Sequence, residues 1–405
     1  MGHPRKPQIF APRLLGYRRG GPAAILVPVL ASLTAERIRA DIDVLSRAGL
    51  DLEAFLAEAC NAIQRAVPWA GACVGTHDPA TLILTSVRKF GALTANNDND
   101  TLWGTIEYGL CEATSFRSLA LGGTRAVSMQ ELPDRQAETS PRMNRLMRPV
   151  YGFADEARVM FHDTTGVWGG MALLRGPDDS PFGADDIAYL ATLSEPLARG
   201  VRTGILTRLA DTAIVDLTTG GPAVVILDRN DEIAQISRGA SERLAALATT
   251  VHDGDPLSLV VSIANAARLA GATADAPLPR ARVRTPSGQW LVLHASPLDD
   301  ALAATGQVVV TIEEARPPEI VSLVIAAYGL TPRERDVTRL VLQGVDTKEI
   351  AASLQVSTYT VQDHLKTIFD KAGVRSRREL IAQVYFDQYV PRIGGELAPN
   401  GWFSQ

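Results

Sequence analysis

The chain has 405 residues, enough for two to four domains at about 100–200 residues each. Hydrophobic residues make up 46% and charged residues 21%, an ordinary globular composition. The net charge of −5 excludes a basic surface over the whole molecule, so any nucleic-acid contact has to be local. Cys60, Cys73 and Cys111 are odd in number and show no CxxC pairing. They exclude a disulfide framework and a cysteine zinc site, and fit small buried apolar side chains in a reducing cytosol.

In chain order, residues 1–33 read as a flexible tail. Arg5, Lys6, Arg13, Arg18 and Arg19 precede the apolar run from Ala23 to Leu33, which superficially resembles an export signal. Pro28 interrupts the run, no A-x-A site follows, and no other stretch reaches the about 18 apolar residues of a membrane span. Helical spacing starts near Thr34, and Asp51 is a plausible N-cap for a second helix carrying Leu52, Phe55, Leu56, Ala59 and Ile63. Strands are predicted at Ala70 to Gly75, Leu82 to Val87, Ala157 to His162 and Gly166 to Leu174, the last two joined by a hairpin turn. Ala184 to about Thr212 reads as one long helix that Pro196 kinks. A second block runs from Ala223 to Asp228, a turn at Arg229-Asn230-Asp231, and a return strand at Ile233 to Ser237. Helices near Ala240 to Leu247 and Leu257 to Leu269 come next. Further strands are expected at Ala281 to Thr285, after the turn Pro286-Ser287-Gly288 at Trp290 to Ala295, and at Val308 to Glu313. Arg316-Pro317-Pro318 reads as a linker.

The segment from Leu330 to Tyr385 carries a tighter pattern. Thr331-Pro332-Arg333-Glu334 combines an N-cap Thr, Pro at the first helical position and Glu three residues on. Asp346-Thr347-Lys348-Glu349 and Ser376-Arg377-Arg378-Glu379 repeat the cap-x-x-Glu start, and Ser357 caps a longer helix between them. Val337, Leu340, Val341, Ile350, Ala351, Leu354, Val361, Leu365, Ile368, Phe369, Leu380, Ile381 and Val384 mark the inward stripes, with Gly344 and Gly373 as helix stops. A short helix, a three-residue turn and a longer helix are what a helix-turn-helix needs to enter a major groove.

Leu330-Thr331-Pro332-Arg333-Glu334, Gly344, Lys348-Glu349-Ile350-Ala351, Leu354, Val356-Ser357, Thr360-Val361, His364-Leu365, Ile368, Lys371, Gly373-Val374 and Ser376-Arg377 resemble LuxR-type DNA-binding domains. Upstream, Trp168 to Arg175 followed by Phe182, Asp185 and Leu190 resembles the last strand and final helix of a GAF domain. The strand-turn-strand-helix order after Pro222 is similar to a PAS-like fold. The fold class implied is α+β multidomain: GAF-like and PAS-like α/β sensor domains followed by an all-α four-helix LuxR-type helix-turn-helix. The expected boundaries are a tail at 1–33, a GAF-like domain at 34–205 and a PAS-like domain at 213–314. A linker at 315–326, the DNA-binding domain at 327–390 and a tail at 391–405 complete the chain.

The LuxR resemblance implies double-stranded DNA as partner, with base-facing positions Val361, Gln362, Asp363 and Lys366. Phosphate contacts fall to Thr347, Lys348, Ser357, Thr360, Lys371, Arg375 and Arg377. The family commonly has Lys or Arg where Gln362 stands and rarely an acid at 363. Gln suits adenine and Asp can accept from cytosine; alternatively, Asp363 only pairs with Lys366. From Ala327 to Gln388 nine Lys and Arg meet eight Asp and Glu, so tight binding calls for a homodimer. Leu380, Ile381, Val384, Tyr385 and Phe386 offer either a self-association face or packing on the upstream domains. Trp103, Phe116, Tyr151, Phe153, His162 and Trp168 are candidates to line an effector pocket, ordinary core packing being the alternative for each. The chain carries no GxxxxGK[ST], no receiver-like acid cluster and no nucleophile–base arrangement. The expectation is a non-enzymatic regulator without cofactor or metal. It would be cytoplasmic in a bacterium and nucleoid-associated when bound, gated by a small molecule or a partner. The alternative is a ligand-independent regulator whose N-terminal domains form a dimerisation or interaction scaffold.

Overall fold

The computed structural model describes residues 23–207, 222–250, 255–271, 278–285, 289–300 and 303–385. Residues 1–22 and 391–405 of the expected tails, residues 208–212 of the expected long helix, the turn Pro286-Ser287-Gly288 and Phe386 lie outside the described residues.

The first unit begins with α1 (Ala23–Leu45) and α2 (Leu52–Ala66), continues through β1 (Gly71–His77) and β2 (Leu84–Gly91), and then α3 (Asp100–Gly109) and α4 (Phe116–Leu121). Then come β3 (Ala126–Ser128), α5 (Asp134–Thr139), a π-helical segment Met143–Tyr151, β4 (Asp155–Asp163), β5 (Gly166–Arg175), α6 (Ala184–Thr192) and α7 (Ser194–Leu206). The sheet order is β2-β1-β5-β4-β3, with every pairing antiparallel. Both faces are covered, and strand alternation sorts the side chains between them. Ala72, Val74, Val159, Met171 and Leu173 share a core with α1, α2 and α7. Cys73, Met160, Ala172 and Leu174 share another with Trp103, Ile106, Phe116, Met147 and Phe153. Gly200 sets how closely α2 and α7 cross, because a Cβ there would lie 1.9 Å from the Phe55 ring.

The middle unit consists of β6 (Ala223–Leu227), β7 (Ile233–Ile236), α8 (Ala240–Thr250), α9 (Leu257–Gly271), β8 (Arg280–Arg284), β9 (Trp290–Asp300) and β10 (Ala303–Glu314). Its antiparallel sheet runs β7-β6-β10-β9-β8. Val225, Leu291, Leu293 and Val310 pack with the buried side of α9, including Val260 and Ile263. Trp290 and Val292 point the other way and join the core of the first unit. The two units also meet along α3 and α9, where Gly104 faces Ser262 and Gly109 faces Asn265. Asp78 of the β1–β2 turn forms a fully buried ion pair with Arg282 of β8, Oδ1 to Nη2 at 2.5 Å.

The C-terminal unit is all helical: α10 (Pro317–Ala327), α11 (Pro332–Leu342), α12 (Thr347–Leu354), α13 (Thr358–Ala372) and α14 (Arg377–Tyr385). Among the described residues no helix is long and apolar enough to cross a membrane.

Three boundaries differ from the sequence reading. Helix starts at Ala23, inside the expected tail, and runs through Pro28. The long helix is two helices, broken between Thr192 and Ser194. Pro196 explains the site of the break, since its ring crowds the carbonyl four residues back, that of Thr192. The expected linker at 315–326 is mostly α10. Pro317 occupies the first turn, Glu319 Oε2 accepts from the Arg316 amide at 2.6 Å, and Ile320 and Leu323 are buried in the first unit's core.

Candidate nucleic-acid interface

Each helix of the C-terminal unit is started by its own side chains. At α11 the Thr331 hydroxyl accepts from the Glu334 amide at 3.3 Å and Glu334 Oε2 accepts from the Thr331 amide at 2.8 Å, a complete capping box. At α12 Asp346 Oδ1 accepts from the amides of Lys348 and Glu349 at 2.7 and 2.9 Å. The turn into α13 uses Gln355 in the left-handed region (φ 55°), and Ser357 then accepts from the Thr360 amide at 3.0 Å. Gly373 ends α13 at φ 70°. At α14 Ser376 accepts from the Glu379 amide, and Glu379 reaches past the cap to the Arg375 amide at 2.8 Å.

The core of this unit holds Val337, Val341, Ile350, Val361, Leu365, Ile368, Leu380 and Val384, closed by Val324, Ile325 and Tyr328 of α10 and its end. Leu380, Ile381 and Val384 of α14 are thus packed inside their own unit, α10 included, and not on the upstream units that the second sequence reading named. Glu334 is buried at the hub, where Lys371 Nζ donates to its Oε2 at 2.7 Å. Burial pushes its carboxyl up, but Lys371 and the Thr331 amide outweigh that and hold it below the usual range.

The outer surface of α13 follows from a helix turning about 100° per residue. Gln362, Asp363 and Lys366 are exposed and opposite the buried stripe. Val361 is a correction: it is fully buried in the core, so the periodicity that turned it inward holds, and it does not face a base. Among the described residues Asp363 has no ion-pair partner, Lys366 included. Of the expected phosphate contacts, Lys348 and Arg375 are exposed, Thr347 is half-buried, and the hydroxyls of Ser357 and Thr360 sit 2.9 Å apart at the start of α13. Lys371 and Arg377 have work inside the domain: Lys371 pairs with Glu334, and Arg377 donates to the Val345 carbonyl. Arg333, which the sequence reading passed over, ties α11 to α12 through the Leu354 carbonyl at 2.6 Å.

The candidate effector residues divide. Trp103, Phe116, Tyr151 and Phe153 gather on the α3/α4 face of the first sheet, with ring centroids 6.3 Å apart for Trp103–Tyr151 and 6.4 Å for Tyr151–Phe153. Trp168 does not join them. Phe161 pairs with Gly169 and His162 with Val167, so Trp168 is the extra residue of a β-bulge. It lies in the opposite core, with Nε1 donating to the Thr165 hydroxyl at 2.8 Å. His162 stays at the sheet edge, its backbone amide donating to Ser194 Oγ.

Beside the four aromatics lies a buried charge network that sequence reasoning missed. Arg158 donates to Glu107 Oε1 at 3.0 Å and Glu156 Oε1 at 3.1 Å. Arg142 donates to Glu156 Oε2 at 2.9 Å and Glu112 Oε2 at 2.8 Å. Arg158 also stacks 4.1 Å over the Phe116 ring. Burial alone would raise the carboxyls of Glu107 and Glu156, but the two guanidiniums hold both below the usual range. His77 is buried nearby with both ring nitrogens unpartnered among the described residues, and burial pushes it down to about 4. Cys60 and Cys73 are buried, and burial raises both thiols, Cys73 to about 12, so neither forms a thiolate readily.

The C-terminal unit defines a class of protein. Residues 329–384 match the family model for bacterial regulatory proteins of the LuxR family. A Mycobacterium tuberculosis (strain ATCC 25618 / H37Rv) protein named as an HTH-type transcriptional regulator, Rv0890c, is 52% identical over 53 residues, 13% of this chain and 6% of that one. The spore germination protein GerE of Bacillus subtilis (strain 168) is 40% identical over 55 residues, 14% of this chain and 74% of GerE. The chain belongs to the LuxR family of bacterial regulatory proteins through this domain. It spans only about 6% of the length of the mycobacterial relatives it matches. Among solved structures, the Vibrio cholerae VqmA dimer in the absence of target DNA is 16% identical. That likeness covers 41% of this chain and 82% of that one at a TM-score of 0.20, too low to carry an argument about the upstream units.

Proposed function

We propose that this protein is a sequence-specific DNA-binding transcriptional regulator without enzymatic activity, working as a homodimer in the cytoplasm and on the nucleoid when bound. The observation that carries the reading is the exposed polar stripe of α13, Gln362, Asp363 and Lys366, on a helix whose opposite side is locked into a fully capped helix-turn-helix core. Lys348, Thr347, Ser357, Thr360 and Arg375 would hold phosphates and set the register; Lys371 and Arg377 would contribute through the field of their charge. Gln362 and Asp363 would read adenine and cytosine edges. The absence of an Asp363–Lys366 ion pair among the described residues favours base reading over a surface pair. Selection of bound duplexes from a random library tests this. The full chain should enrich one motif, and Gln362→Ala with Asp363→Ala should change it at the positions they read. An unchanged motif in both variants would overturn the assignment.

The upstream units, GAF-like over 34–205 and PAS-like over 213–314, would sense a small molecule or a partner and pass the state to the DNA reader through α7 and α10. The antiparallel sheet with helices on both faces and a closing α6–α7 pair supports the GAF-like reading. A ligand-independent scaffold is the second reading, and one observation favours it. The floor of the α3/α4 face at Gly170 is occupied, since a Cβ there would lie 2.5 Å from the Phe116 ring. Native mass spectrometry of the purified chain separates the two. A retained small molecule supports sensing, whereas a dimer with no added mass and no metabolite-induced thermal shift supports the scaffold.

A further inference from the structure

We infer that Tyr359 is a specificity-determining residue of the DNA interface, its ring packing on the C5 methyl group of a thymine. The inference rests on the DNA-binding reading above and goes beyond it by adding a reader and the base feature it recognises. Tyr359 is the second residue of α13, in the N-terminal part of the helix that meets base edges when such a helix enters the major groove. Steps of three, four and seven residues from it lead to Gln362, Asp363 and Lys366, so all four share one face of the helix. The ring is 71% exposed, among the most exposed large apolar side chains of the described chain. The neighbouring hydroxyls of Ser357 and Thr360 are engaged with each other and with the helix start. Among the described residues nothing hydrogen-bonds the Tyr359 hydroxyl.

The chemistry of the stripe narrows what the ring does. Lys366 is the single cation among these four residues, and Asp363 is repelled by phosphates, so this face depends on contact more than on charge. Gln362 and Asp363 supply the hydrogen-bonding readers. The apolar feature a major groove offers is the thymine C5 methyl. An exposed aromatic ring beside two polar readers fits that methyl, and burying one such group contributes about fourfold in affinity.

The test uses the full chain and its Tyr359→Phe and Tyr359→Ala variants, exposed positions where neither change disturbs the core. Motifs are selected from a random library, and affinities are then measured on the selected duplex and on the same duplex with deoxyuridine in place of single thymines. The expected result is one thymine position at which loss of the methyl weakens the wild type and Tyr359→Phe about fourfold and leaves Tyr359→Ala unaffected. Equal weakening of both variants on every sequence would mean a phosphate contact through the hydroxyl and would overturn the proposal. A motif and affinity unchanged in Tyr359→Ala would overturn it as well, while leaving DNA binding intact. Failure of the wild type to enrich any sequence would overturn the DNA-binding reading itself, and this one with it.

Discussion

In the C-terminal unit each helix start is satisfied by its own neighbours, Glu334 taking the Thr331 amide three residues away, and only Lys371 of α13 reaches that carboxylate from a distance. In the first unit Arg142, Glu107 and Glu112 come from separate segments and meet Glu156 and Arg158 of β4 inside the protein. One unit is organised by local caps that each helix carries with it. The other depends on a charge assembly that exists only once the whole sheet and its covering helices are in place. The difference teaches where each is vulnerable. Removing a cap weakens one helix, whereas removing one member of the network strands the others in a medium that cannot solvate them.

The largest test of that contrast is Glu156→Ala, which leaves both guanidiniums short of a counter-charge. A loss of about 3–5 kcal/mol is expected, seen in urea unfolding followed by tryptophan fluorescence, since Trp103 and Trp168 both lie in the first unit. A loss below about 1 kcal/mol would place the network among weakly coupled surface pairs instead.

Acid should then separate the two units. His77 has a folded value of about 4, against 6.5 when free. Between those values the unfolded chain takes up a proton that the folded one refuses, so stability is full above 6.5 and falls as pH drops towards 4. The span is worth roughly 3 kcal/mol. Glu334 is depressed, so its contribution is present above 4.5 and is lost only as pH falls below that value. Hydrogen exchange measured against pH should show the first sheet loosening before α11–α14, and His77→Gln should abolish the lead.

The smallest effect sharpens the other side of the contrast. Thr331→Ala should cost about 1 kcal/mol, read as faster amide exchange along α11 with the amides of the first sheet unchanged. A loss spreading into that sheet would show that the C-terminal unit is not locally organised.

The same division explains what the sequence made legible. The caps of α11 to α14 operate over two to four residues, so Thr331, Asp346, Ser357 and Ser376 were readable directly. Apolar runs between turn residues likewise announced β1, β2, β4, β5 and the middle sheet. The charge network was hidden because Arg158 and Glu107 are 51 residues apart, and no local pattern marks such a pair. Trp168 was placed with the wrong neighbours because a bulge reverses the side that alternation assigns. Val361 was given two roles, one by helical period and one by family position, and packing keeps the first. Arg316-Pro317-Pro318 read as a linker because its prolines break regular spacing, yet proline is at home in a helix's first turn.

That helix, α10, has a mechanical consequence. It is held near its start by Arg282, which donates to the Glu319 carbonyl at 3.2 Å and to Ser322 Oγ at 3.0 Å. At its end Arg202 donates to the Ala327 carbonyl at 3.1 Å. The DNA reader is therefore mounted on a pinned strut about 16 Å long, not on a leash. For the homodimer proposed above on one duplex, the mounting would set a compass bearing as well as a distance. Sites about 10 base pairs apart present the same side of the double helix. Five more base pairs would turn the second site away from a reader that has no slack to follow it.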